Sequence, residues 1–242
     1  MTNEFTIQQG LFKQSFPPII VTTVDERLLE RHLLLSFLNT ASDEGTIGVS
    51  AIFDARCTIT AIAFATLSSS LVIHFAKLRN RHALTLVKEC ILNDSRYTKC
   101  AFKMDTLALS LFTDLSLQIS DAVDLLSSRI TGADRHSLEH LLEIMGGLPK
   151  LYKHSVENLF FEDMTEMSSS DVAIQAWAAC LVAIMSDITS SPRIDTFRLT
   201  RKASCFRASE LALIFPMDLA IGCFGQDRTG QRSPGVDKTH FH

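Results

Sequence analysis

The sequence predicts an α/β protein whose mixed sheet is flanked by helices, and three observations carry that prediction. Residues 46–53 (TIGVSAIF), 58–67 (TITAIAFATL) and 71–75 (LVIHF) are β-rich runs separated by short polar or small stretches, the pattern of an antiparallel meander. Apolar residues at helical spacing bracket the meander on both sides. Beyond residue 98 short apolar strands alternate with short helical segments, which is how βα units with parallel pairing read.

Taken in order, residues 1–16 mix polar and apolar positions without a period and read as a loose arm. Pro17-Pro18 opens the ordered part, with a short extended run over 19–22. Asp25 is placed to cap a helix over 26–39, in which Leu28, Leu29, His32, Leu33, Phe37 and Leu38 recur at three- and four-residue intervals. After the meander, Leu84, Val87 and Ile91 share one face of a helix over 81–92, and Asn93-Asp94-Ser95 stops it. The alternating part is then a strand over 99–103, a helix over 106–112, a strand over 116–119 and a helix over 122–127. A helix over 137–145 ends at Gly146-Gly147, residues 148–166 read as a loop-rich connection, and the last helix spans 168–187. The domain therefore covers 17–189, with 190–242 as an irregular tail.

Bulk properties narrow the function. At 242 residues and 46% hydrophobic, the chain is long enough to bury a sizeable core as one domain. A net charge of −4 argues against a strongly electrostatic nucleic-acid binder. The tail carries eight basic and five acidic residues, so the body stands near −7. Six scattered cysteines lack a CxxC pair or zinc spacing, and no charged segment followed by an apolar one opens the sequence. The apolar run 173–185 falls short of the roughly twenty residues that a membrane span needs. These features lead us to expect an intracellular protein, in cytoplasm or nucleus, with no membrane association.

The stretch KCAFKMDTLALSLFTDLSLQISDAVDLL, residues 99–126, is the most informative. It has a lysine, Lys99, an apolar strand, one carboxylate at the strand's end, Asp105, a leucine, and a second apolar segment closing on an aspartate. With the helix, the meander and the alternating units, it resembles the DEDD superfamily of 3′-to-5′ exonucleases, above all the ribonuclease D and Werner-type domains. SLEHLLEIMGGLPKLYK is similar to the family's short helix, glycine turn and lysine, here Lys150 or Lys153. The resemblance covers roughly 19–185 and implies a ribonuclease H-like fold.

It also implies a specific chemistry. In that family two divalent ions about 4 Å apart activate a water and stabilise the leaving oxygen, balanced by convergent carboxylates. The resemblance assigns Asp105 as a catalytic and metal-binding acid. The first two acids of the pattern, Asp-x-Glu on the first meander strand, fall on Ser50 and Ile52. The last helix should carry Tyr-x-x-x-Asp, and those positions hold Ile174 and Ala178. One carboxylate cannot neutralise two divalent cations, so the resemblance implies a domain that has kept the fold and lost its hydrolytic centre.

The remaining constellations have plain readings. Asp121 and Asp124 follow a strand and read either as spare metal ligands or, the favoured reading, as helix-capping and first-turn charges. His136 and His140 share a helix face but lack the His-Glu-x-x-His order of zinc proteases. His74 sits in an apolar strand and reads as a satisfied residue rather than a base. The basic run Arg193, Arg198, Arg201, Lys202 and Arg207, interleaved with Phe197 and Phe206, suits either phosphate contact or a solvated tail.

Three hypotheses follow. In the first, an exonuclease-like domain without most of its catalytic acids binds single-stranded nucleic acid or a protein partner and needs no cofactor. In the second, an active exonuclease uses magnesium or manganese at a relocated site of Asp105 with Asp54, Asp121 or Asp171. In the third, the chain is a generic α/β interaction protein. Strand order separates the third from the others, because a ribonuclease H-like sheet sets the first meander strand beside the strand that leads to Asp105.

Overall fold

The computed structural model describes residues 2–41, 45–126, 151–161 and 167–185. The expectations for the helix over 137–145, for His136, His140 and Lys150, and for the tail over 190–242 lie outside the described residues.

Seven strands form one mixed sheet in the order β1-β2-β5-β4-β3-β6-β7. They are β1 (Asn3–Ile7), β2 (Ile19–Asp25), β3 (Thr46–Phe53), β4 (Ile59–Ala65), β5 (Ser69–His74), β6 (Thr98–Ala101) and β7 (Ala122–Asp124). The predicted meander is β3, β4 and β5, paired antiparallel. β6 lies parallel beside β3, with Gly48 opposite Cys100, and β7 lies parallel beside β6. Strand order β5-β4-β3-β6-β7 is that of a ribonuclease H-like sheet, so the fold class is as the sequence predicts. β2 extends this sheet by pairing parallel with β5, and β1 adds an antiparallel edge.

Alternation along the strands divides the core into two layers. Ile47, Val49, Ala51, Ile62, Phe64, Leu71 and Ile73 face the layer of α1 (Arg31–Ala41), α2 (Arg81–Val87) and α3 (Met104–Leu115). Ile52, Ala61, Ala63, Ala65, Val72 and Cys100 face the opposite layer, which holds α4 (Lys153–Phe161) and α5 (Ser169–Met185). The sheet face toward α5 is built of small residues, and α5 answers with Ala173, Ala176, Ala179 and Ala183, all buried. Trp177 closes this layer, with edge-on contacts to Phe12 and Phe16 and its indole N–H donating to the Leu67 carbonyl at 3.0 Å. No helix among the described residues is long and apolar enough to cross a membrane.

The contact of α5 with β3 is closest at Gly48. A Cβ built there falls on the carbonyl oxygen of Ala176 and against the amide of Cys180. The two buried thiols next to this point are Cys100, the strand partner of Gly48, and Cys180, whose Sγ lies 3.7 Å from the Thr46 carbonyl. Burial pushes the Cys100 thiol up to about 12.

Several elements differ from expectation. The arm of residues 1–16 is not loose: Asn3–Ile7 forms β1, and Leu11 and Phe12 are buried. Their apolar side chains pack on a surface supplied by distant parts of the chain, which no local period reveals. The predicted helix over 26–39 is broken into a 3-10 turn, Glu26–Leu28, capped by Asp25, and then α1. The break comes because Glu26 is fully buried, its carboxylate accepting from the amides of Ala76 (2.8 Å) and Asn80 (3.1 Å). The helix over 81–92 passes from α2 into a π-helical turn, Lys88–Leu92. The strand over 116–119 and the helix over 122–127 are replaced by an irregular segment and β7, because Ala122–Asp124 gains ladder bonds from β6. The connection over 148–166 contains α4.

A side chain at Gly48 requires α5 to withdraw from the sheet. The Gly48→Ala variant is expected to lose about 3 kcal/mol, the upper range for overpacking of a tight core. Urea unfolding of the variant beside the parent checks it, and a loss below about 1 kcal/mol contradicts the packing described.

Candidate nucleic-acid interface

The parallel relation of β2, β3, β5, β6 and β7 brings their carboxyl ends to one side of the sheet. Ligands of α/β sheets gather at such an end. Ser50, Ile52, Asp54, His74, Asp105 and the start of α5 all belong to it.

Ser50 points from β3 toward α5, and its hydroxyl donates to Oε1 of Gln175 at 2.6 Å. Gln175 is nearly buried, and its Nε2 donates to the Leu159 carbonyl of α4 at 2.6 Å. Phe102, just past β6, meets Phe160 of α4 edge-on at 5.4 Å. Ile52 and Ala178 are buried in the same apolar layer, against which Ile174 and Met167 pack. Of the four positions that the resemblance singles out, Ser50 thus enters a hydroxyl–amide–carbonyl relay with Gln175 and Leu159, while Ile52, Ile174 and Ala178 form an apolar wall around it. Gln175 belongs to neither position of the Tyr-x-x-x-Asp pattern. Its signal was there: a lone amide in an otherwise apolar helix.

The remaining acids are held locally. Asp105 is exposed in the first turn of α3, not at the end of a strand, and its Oδ1 accepts the Thr106 amide at 2.7 Å. Asp54 shapes the β3–β4 turn by accepting from the amides of Arg56 (2.8 Å) and Thr58 (2.9 Å), and these bonds hold its carboxyl below the usual range. Asp171 and Ser168 form a reciprocal cap at the start of α5: both Ser168 donors reach Asp171 Oδ2, and the Asp171 amide returns to Ser168 Oγ. Asp121 and Asp124 do not cap a helix. Asp121 has φ 50 just before β7, and Asp124 lies in β7 with Oδ1 accepting the Leu126 amide. Among the described residues no three His, Cys, Asp or Glu side chains converge to hold a metal.

Among the described residues, the donor set around Ser50 therefore does not fit a pair of divalent cations. A hydroxyl, an amide and two aromatic rings supply none of the negative charge that such a pair requires. Lys99, the lysine of the motif, is fully buried and donates to the carbonyls of Asp94 and Tyr97, both at 2.9 Å. It braces the turn before β6. Lys153 begins α4.

His74 ends β5 beside Asp25 of β2, with Nε2 2.9 Å from the Ser169 hydroxyl. Half-burial pushes its imidazole below the ordinary value, while Asp25 pulls weakly the other way. His74 is thus a satisfied residue that ties β5 to the start of α5.

No family model matches the chain, and no curated protein matches it in sequence. Solved structures do resemble it. The EXO domain of Nibbler from Aedes aegypti is 12% identical, over 64% of this chain and 81% of that one, with a TM-score of 0.48. RNase D from Trypanosoma brucei, in complex with GMP, is 11% identical over 66% of this chain and 55% of that one, with a TM-score of 0.47. The catalytic core of RRP6 from the same organism is 14% identical over 75% and 52%, with a TM-score of 0.47. The chain spans about half the length of the two trypanosomal chains. At these values the fold assignment stands on strand order and register.

Two outcomes test this geometry. Gln175→Leu leaves the Leu159 carbonyl without its donor and is expected to cost about 1–3 kcal/mol. Limited proteolysis should then cut faster within residues 153–161, and unchanged cleavage contradicts the relay. For His74 the sign is set by its lowered value: the unfolded chain takes up a proton first as pH falls through about 6.5, so stability drops below that pH. In His74→Gln the loss of stability between about pH 7 and about pH 5, read by urea unfolding, should be smaller than in the parent.

Proposed function

We infer that this protein is an exonuclease-like domain that acts by binding rather than by hydrolysis. The observation that carries this reading is the Ser50–Gln175 bond, with Gln175 bridged onward to Leu159, at the place where a two-metal exonuclease needs carboxylates. Asp105 supports kinship more than catalysis, since its carboxylate is engaged by its own helix turn.

The ligand class that suits this fold is single-stranded nucleic acid, held at the carboxyl ends of the parallel strands. Exposed cations stand there: Arg56 follows β3, and Lys77 and Arg81 follow β5. The loop that carries Lys77 is fixed by the buried Glu26, so these charges are presented on a stiff support. A protein partner on this surface is the other form of the same reading.

A labelled single-stranded oligonucleotide tests both parts. With magnesium or manganese the wild type should leave it intact, and Asp105→Ala should behave the same. Fluorescence anisotropy should show binding that weakens with salt, and the double change Lys77→Glu with Arg81→Glu should lower affinity about tenfold or more. Degradation that disappears in Asp105→Ala overturns the reading in favour of a metal-dependent exonuclease. Salt-insensitive or undetectable binding, with no degradation, turns it toward a protein partner.

A further inference from the structure

The outer edge of β1 is the feature of the fold that the site does not use. Ile20 donates its amide to the Ser68 carbonyl at 3.0 Å, toward β5. Successive residues of a strand turn their main-chain groups to opposite sides, so Ile19, Val21 and Thr23 face β1. Their register partners are Ile7, Phe5 and Asn3. The N–H and C=O groups of Glu4 and Thr6 consequently point away from β2, along an edge that no described strand covers.

Edges of this kind are usually blunted by a lysine, a proline, a bulge or shortness. The opposite edge, β7, is only three residues long. β1 has five residues, pairs with β2 without a register shift, and contains no lysine, proline or glycine.

The sequence of β1 also selects its partner. In a two-fold antiparallel pairing, an outward residue must meet an outward residue. Centring on Glu4 sets two carboxylates opposite each other, and centring on Thr6 pushes the pairing beyond the strand. Centring on Phe5 uses all five residues of each strand. It joins Glu4 to Thr6 of the other copy through four main-chain bonds, and sets Phe5 beside its own counterpart in the non-hydrogen-bonded position, where side chains are closest. Asn3 then faces Ile7, and no like charges oppose.

We propose that β1 is a self-association edge: two copies of this chain pair antiparallel through Asn3–Ile7, centred on Phe5, and merge their sheets into one. The Thr6 side chain is exposed, and in this pairing it lies opposite Glu4 of the second copy. Changes at Thr6 therefore alter the pairing and spare the core of each subunit.

Sedimentation analysis of the full chain over a range of concentrations tests it. The wild type should pass from monomer to dimer. Thr6→Glu should weaken the dimer by about tenfold or more through repulsion with Glu4, and Thr6→Lys should tighten it. Thr6→Pro, which removes an outward N–H only, should give a monomer with the melting temperature that the wild type shows at concentrations too low for pairing. Amide exchange at Glu4 and Thr6 should slow with concentration, while exchange at Phe5 should not. A wild type that stays monomeric throughout overturns the proposal. So does a dimer on which the glutamate and lysine variants have the same effect.

Discussion

The close approach of α5 to β3 at Gly48 is the constraint on which the rest of the structure depends. A helix can lie this near a sheet only where both surfaces lack side chains of any length, and Ala61, Ala63 and Ala65 meet Ala173, Ala176 and Ala179 accordingly. Once α5 is seated, its start is fixed against His74, and Gln175 is brought onto Ser50. Trp177 is carried to the turn after β4 and gathers Phe12 and Phe16 around it. The N-terminal residues thus become part of the core through a helix far away in sequence.

The same seating sets the chemistry of the wall between β3 and α5. Convergent carboxylates repel one another, and a fold that keeps them must balance that charge with cations. Ser50 and Gln175 carry no charge, and a hydrogen bond joins them. Phe102 and Phe160 then close the neighbouring space with an edge-on ring contact. The acids that remain serve turns and caps, where a carboxylate accepting from main-chain amides is stabilising in its own right.

Period and spacing sufficed for the meander, and the resemblance supplied the place of β6 beside β3. The meander shows as β-rich runs of even spacing, and the strand before Asp105 lies beside β3 because a parallel pair needs the crossover that α2 supplies. Features that depend on distant partners were hidden. β1 is five residues with no pattern of its own, and β7 is three residues whose extended form comes from β6. The break before α1 follows from one buried glutamate whose amide partners lie about fifty residues on. The candidate site divides in the same way: the departure of Ser50 and Ile52 from the Asp-x-Glu pattern can be read from a motif, whereas the bond that fills the space requires the position of Gln175 relative to β3.

Two buried thiols gain a different meaning from where they sit. Cys100 and Cys180 lie on the two surfaces that meet at Gly48, one on the sheet and one on the helix. Both thiols are buried, that of Cys100 pushed up to about 12, and buried thiols do not react while the layers stay together. Modification of either sulfur would therefore clock the separation of α5 from the sheet, giving this interface a native chemical probe of its breathing without any label being introduced.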